Sequence, residues 1–179
     1  MQHLARFIFC TLWGWTIQGD FPPIKKYMVI AMPHTSNWDF FIGLFLRPIL
    51  KADIKFAGKN SLFVFPFGYL FRWLGGYPVN RSKNTNFVKA VVDIYNSKEE
   101  FALCIAPEGT RKSVDKIKTG FYYIAKEANL PVQMLKFDWG NKVVDFVEPF
   151  YLTDNMEADM EFIKQQFRGV KGRNRMFEL

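Results

Sequence analysis

A chain of 179 residues is of ordinary single-domain size, long enough to bury a core. Its 24 basic against 17 acidic side chains leave +7 at neutral pH, which favours anionic partners: nucleic acid, phosphorylated metabolites, acyl carriers or anionic membranes. The 20 Phe, 7 Tyr and 5 Trp fall in apolar clusters and do not alternate with Lys and Arg, which argues against a single-stranded nucleic-acid binder and favours lipid. Cys10 and Cys104 are too few and too far apart for a disulfide framework or a zinc site.

At the amino end Leu4, Phe7, Ile8, Thr11, Leu12 and Trp15 share one helical face, with Arg6 and Gln18 off it. The apolar stretch from Phe7 to Ile17 is shorter than the roughly 18–20 residues that span a bilayer. Gln18-Gly19-Asp20 is a poor signal-peptide cleavage region. The pattern predicts an amphipathic helix over residues 1–20, lying in the membrane interface; the alternative is a first helix packed on the core. Lys25-Lys26 then leads into an apolar run to Met32, bounded by Pro33, which reads as a strand buried on both faces. From Trp38 a helix apolar nearly all round follows, with Ser36 or Asn37 as its cap and Pro48 as the expected kink or stop.

A short strand over residues 53–57 ends at Gly58-Lys59. The aromatic segment from Ser61 to Leu74, broken by Pro66 and Gly68, suits a membrane-facing surface, the wall of an acyl-chain groove, or plain core packing. Gly75-Gly76 turns into a third strand over residues 77–80, which delivers Arg81. A helix capped by Asn84 or Thr85 follows, then a strand from Phe101 to Ala106 in which Cys104 packs as a small hydrophobe. After the Pro107-Glu108-Gly109-Thr110-Arg111 run come a helix from about Thr119 to Ala128, strands from Val132 to Phe137 and Val143 to Val147, and a last amphipathic helix. That helix turns Met156, Met160, Ile163 and Phe167 inward. The basic residues Arg168, Lys171, Arg173 and Arg175 read as a solvated tail.

Strands alternating with helices predict an α/β fold, a mainly parallel sheet flanked by helices, preceded by the amphipathic interfacial helix. The expected organisation is a single domain over 1–179, with the α/β core at 27–148 and a carboxy-terminal helix and basic tail at 155–179. Ligands of such sheets bind beyond the carboxyl ends of the strands. His34, Lys59, Arg81 and the run from Glu108 to Arg111 all follow strand ends, so they are expected to gather at one edge.

The chemistry of these residues is suggestive. His34 and Asp39 are five apart, and on one helix they would point about 140° from each other. They meet only if the chain turns between them. A histidine so oriented can take a proton from a nucleophile. No serine or cysteine in an elbow motif is present, so the proton can come from a substrate hydroxyl; the alternative is a surface histidine near a helix cap. Gly109 allows close approach, Thr110 adds a hydroxyl, and the Arg111 guanidinium can grip phosphate in bidentate fashion, with Arg81 as a second positive contact. Alternatively Glu108 and Arg111 pair with each other across their loop.

The stretch His34-Thr35-Ser36-Asn37-Trp38-Asp39 resembles the HX4D block of the glycerolipid acyltransferases, the lysophosphatidic-acid acyltransferase family. Pro107 to Arg111 resembles that family's PEGTR block. Lys59, Leu62, Pro66, Gly68 and Gly76 through Arg81 are similar to the intervening block that ends in a phosphate-binding arginine. Lys118-Thr119-Gly120 with Leu130-Pro131-Val132 is similar to the last block. The blocks run in family order over residues 33–135. Departures are Pro33 where many members have Asn, Pro-Val-Asn-Arg in the arginine block, and Gln133-Met134 where a second Pro is usual.

The resemblance implies O-acyl transfer from acyl-CoA or acyl carrier protein to a lysophospholipid hydroxyl, most directly 1-acylglycerol-3-phosphate giving phosphatidic acid. His34 is then the general base and Asp39 its orienting carboxylate. Arg81 and Arg111 bind the acceptor phosphate, and Lys59, Glu108, Gly109 and Thr110 shape the substrate site. Neither a metal nor a cofactor beyond the acyl donor is implied, and nucleic acid is not an expected partner. The expected location is peripheral, at the cytoplasmic face of a membrane. Competing expectations are the same chemistry on an amino-acid-containing lipid without phosphate, a metal-dependent phosphohydrolase with His34, Asp39 and Glu108 as ligands, and a non-catalytic lipid-binding module.

Overall fold

The computed structural model describes residues 2–19, 23–79 and 84–178. The amino-terminal helix α1 (Gln2–Arg6) continues as a π-helical turn (Phe7–Leu12) and gives way to strand β1 (Thr16–Gln18). The helical segment is thus shorter than its apolar periodicity predicts. Its outward face keeps Leu4, Phe7 and Leu12 exposed, while Ala5 and Phe9 pack inward. Trp15, expected on the outward face, is buried because the chain has left the helix by then.

Strand β2 (Lys26–Met32) shows why its sequence reads as an unbroken apolar run. Met28, Ile30 and Met32 enter one core layer, and Tyr27, Val29 and Ala31 the other. A strand with helices on both faces has no solvent side on which to place polar residues. After it come α2 (Trp38–Leu50), β3 (Ile54–Lys59), a 3-10 turn (Asn60–Phe63), α3 (Gly68–Trp73) and β4 (Gly76–Val79). The chain continues with α4 (Asn84–Ser97), β5 (Phe101–Ile105), α5 (Gly120–Glu127), β6 (Val132–Asp138), β7 (Val143–Phe146) and α6 (Met156–Phe167).

Pro48 does not stop α2. The helix runs two residues further and ends where Lys51 turns into the left-handed region at φ 54°, returning its N–H to the Arg47 carbonyl. Ser36, not Asn37, supplies the side-chain bond at the amino end, accepting the Trp38 N–H at 3.2 Å. The segment from Ser61 to Leu74 is not core. Phe63 is buried, but Phe65, Phe67, Tyr69 and Trp73 are exposed.

The strands form a seven-stranded sheet in the order β1-β7-β6-β2-β5-β3-β4. Among the pairings of these strands in the described residues, only β6/β7 is antiparallel. The expected mainly parallel α/β architecture is therefore present, with α1 and α2 against one face and α4, α5 and α6 against the other. From β2 the chain crosses through α2 to β3, on one side; from β5 it crosses through α5 to β6, on the other. Because β2 and β5 are neighbours, the loops leaving them diverge and open a crevice, the place where open parallel sheets hold ligands.

Cys104 on β5 packs against the α1/α2 layer, and burial pushes its thiol up to about 12. Tyr27 and Tyr95, also raised chiefly by burial, keep their protons well above the ordinary phenol range. Each group holds its proton longer folded than unfolded. Its stabilising contribution is whole below the unfolded pKa and is lost as pH climbs, at up to about 1.4 kcal/mol per pH unit per group. The urea midpoint should accordingly fall above pH ~9, and the Cys104→Ala variant should lose less over the same interval. A variant that tracks the wild type would remove burial of this thiol as the cause.

Candidate active site

His34 leaves the carboxyl end of β2, and the loop to α2 is short enough to turn the chain back on itself. His34 Nδ1 lies 3.1 Å from Asp39 Oδ2, so the turn needed to bring the pair together is made. Oδ2 also accepts the main-chain N–H groups of Thr35 and Ser36, each at 2.9 Å. The other oxygen, Oδ1, accepts the indole N–H of Trp139 at 2.7 Å. Asp39 is 2% exposed, and such a carboxylate is tolerated because donors surround it. An ionised carboxylate only accepts hydrogen bonds, so the imidazole proton sits on Nδ1 and the lone pair on Nε2. The ring remains partly open to solvent.

The PEGTR loop meets this turn from β5. Glu108, fully buried, accepts the main-chain N–H of His34 through Oε2 at 2.5 Å. Its other oxygen is 2.5 Å from Arg175 Nη2. The alternative Glu108–Arg111 pairing is thus replaced by two separate contacts. Arg111 reaches across to the Asn37 side-chain oxygen in the HX4D loop, which keeps the guanidinium on the same rim as His34. Gly109 turns the loop at φ +66°, a left-handed conformation that glycine adopts without strain, and the Lys118 side chain packs close beside it. The Thr110 hydroxyl accepts the Lys112 N–H at 3.3 Å.

Of the expected site residues, His34, Asp39, Glu108, Gly109, Thr110 and Arg111 converge through the two neighbouring loops. Lys59 ends β3, the strand beside β5, and so stands on the same sheet edge; its side chain lies outside the description. Arg81 falls outside the described residues.

The phosphohydrolase reading needs His34, Asp39 and Glu108 as joint ligands. Among the described residues, no three His, Cys, Asp or Glu side chains gather in that way. Glu108 approaches His34 at the main-chain nitrogen and not at the ring.

Four residues near the site had no place in the expectation. Trp139, in the turn between β6 and β7, donates to Asp39. The only hint was a large indole in the otherwise polar turn Asp138-Trp139-Gly140-Asn141. Arg173, Asn174 and Arg175 lie in the stretch whose basic residues are expected to be solvated; Arg168, Lys171 and Arg173 are exposed, but Arg175 is partly buried against Glu108, which corrects the reading there. The Arg173 guanidinium lies over Trp38 at 4.8 Å and over Trp139 at 4.9 Å. Asn174 Nδ2 donates to the Thr35 carbonyl at 2.8 Å. Beside Trp38 and Trp139 a cleft of about 430 Å³ is lined by Leu12, Trp13 and Ile42, with Lys142 and Arg173.

The sequence model of the acyltransferase family matches residues 16–136, more than half of the chain. This chain belongs to the acyltransferase family. Both motif loops fall inside the matched span, and the enzyme's fold has a counterpart among solved structures. The crystal structure of the 1-acyl-sn-glycerophosphate (LPA) acyltransferase PlsC from Thermotoga maritima is similar at a TM-score of 0.63 and 18% sequence identity. The likeness covers 94% of this acyltransferase and 76% of that chain. At so low an identity it speaks for the fold. No curated protein matches the chain significantly.

Proposed function

We propose that this acyltransferase moves a fatty acyl group from acyl-CoA or acyl carrier protein to the hydroxyl of 1-acylglycerol-3-phosphate, giving phosphatidic acid. The observation that carries the reading is the His34–Asp39 pair, with Arg111 tethered to the same loop through Asn37. His34 Nε2 takes the hydroxyl proton as the oxygen bonds to the thioester carbonyl. The C–S bond then breaks, and the departing sulfur receives the proton from His34. Arg111 supplies the cation for the acceptor phosphate, with Arg81 expected beside it and Lys59, Glu108, Gly109 and Thr110 shaping the pocket. The apolar cleft beside Trp38 and Trp139 is of a size that suits an acyl chain.

A peripheral location on the cytoplasmic face of a membrane goes with this substrate. Supporting it are two exposed apolar surfaces, Leu4, Phe7 and Leu12 on the first helical segment and Phe65, Phe67 and Trp73 around α3. Among the described residues, no helix is long and apolar enough to cross a membrane.

The test is a transfer assay over a panel of lyso-lipids with both donor types, including an amino-acid-containing acceptor that lacks phosphate. Turnover is expected to be highest with 1-acylglycerol-3-phosphate. Arg111→Ala should raise the KM for that acceptor roughly 10–100-fold, the value of one charge-assisted contact of about 1.5–3 kcal/mol. No turnover of any phosphorylated lyso-lipid would end the proposal, and an unchanged acceptor KM would remove Arg111 from it.

A further inference from the structure

The stretch over residues 170–177 lies across the HX4D loop as a strap. Its two ends are tied by the Phe177 N–H to the Val170 carbonyl at 3.0 Å and by a bridge between Lys171 and Met176. Phe177 is buried, which fixes the strap to the core. The Trp139 N–H binds the Lys171 carbonyl at 2.7 Å, so the strap also holds the turn that presents the indole to Asp39. Gly172 passes so close to Thr35 that a Cβ would sit 2.6 Å from its methyl carbon. From this strap Arg175 reaches under the catalytic loop to Glu108 and also donates to the Lys112 carbonyl at 3.0 Å, in the segment just after Arg111.

We propose that Arg175 is a positioning residue for acyl transfer. Its guanidinium is the counter-charge that keeps the buried Glu108 carboxylate in place, and Glu108 in turn fixes the His34 main chain through its second oxygen. This rests on the reading of His34 as the base. The physical need is plain: Glu108 has no solvent exposure, and a buried carboxylate without a partner cation either takes up a proton or moves. Protonation weakens the bond to the His34 N–H and movement breaks it, and in both cases the imidazole is freer to shift relative to the acceptor hydroxyl. Misplacement by about 1 Å can cost roughly 10²-fold in rate. Neither Arg175 nor Glu108 needs to touch the donor for this, so substrate affinity should be spared.

The experiment is a double-mutant cycle on the full chain, measuring kcat, both KM values and melting temperature for Arg175→Met, Arg175→Lys, Glu108→Gln and the pair Arg175→Met with Glu108→Gln. Arg175→Met should lower kcat about 10²-fold, with both KM values little changed. Arg175→Lys should recover much of that loss, because an ammonium also supplies the charge. In the Glu108→Gln background Arg175→Met should cost little more, since a neutral amide can accept the His34 N–H without a counter-ion. A kcat loss that multiplies in the double variant, or a wild-type kcat in Arg175→Met, overturns the proposal. If Arg175→Met does not fold, Arg175→Lys and the double variant decide, and a Lys variant that folds normally yet transfers as poorly as His34→Ala counts against charge positioning. His34→Ala serves as the control: if it transfers normally the base assignment fails, whereas an inactive His34→Ala beside a fully active Arg175→Met removes only the role of Arg175.

Discussion

Replacing His34 with alanine should lower kcat about 10²–10⁴-fold, the usual contribution of a positioned general base, and leave both KM values near wild type. The base acts on a proton that moves only in the transition state, so ground-state binding has no stake in it. The fold should survive, because the bond from residue 34 to Glu108 runs through the main-chain N–H, which alanine retains. The ring itself makes one bond to Asp39 and is partly exposed. A melting temperature close to wild type with a collapsed kcat is therefore the expected combination. Retained turnover would refute the assignment of His34 as the base.

Asp39→Asn should be worse for the protein as a whole. The carboxylate accepts from His34 Nδ1, Thr35 N and Ser36 N at one oxygen and from Trp139 Nε1 at the other. A carboxamide has a single acceptor oxygen. Turned one way, its NH2 faces the Trp139 N–H; turned the other way, it faces three donors at once. At least one buried donor is left unpaired in either orientation, at a cost of about 1–3 kcal/mol. The flipped amide would also donate to Nδ1 and move the imidazole proton to Nε2, where it blocks the lone pair. We expect a kcat loss of the same order as that of His34→Ala, together with a melting temperature several degrees lower. Combining the two substitutions should cost little further kcat, since the residues act as a unit. Wild-type turnover in Asp39→Asn, or kcat losses that multiply in the pair, would separate Asp39 from the chemistry.

The parts of this enzyme that were legible in its sequence are those set by local rules. An apolar run ending at Pro33, a polar turn and an apolar helix give β2, the HX4D loop and α2, and they place His34 and Asp39 on either side of a bend. The run from Phe101 to Arg111 does the same for β5 and the PEGTR loop. Where the local pattern was ambiguous, long-range contacts decided. The segment from Thr16 to Gln18 shares the apolar character of the helix before it, yet becomes a strand because β7, far along the chain, offers a parallel edge. The segment from Ser61 to Leu74 has enough aromatic residues for a core, but both core layers are already filled by α1, α2, α4, α5 and α6, and apart from the buried Phe63 its rings at Phe65, Phe67, Tyr69 and Trp73 stay outside.

By itself the sequence determined the alternation of strands and helices, the two motif loops and the residue types available for acyl transfer, because each follows from neighbours a few positions apart. Only the tertiary structure decided which groups complete the site. Trp139 meets Asp39 across 100 residues and Arg175 meets Glu108 across 67. At such separations no periodicity links the partners. A basic residue near the end of a chain looks solvated until the fold brings a buried carboxylate beneath it.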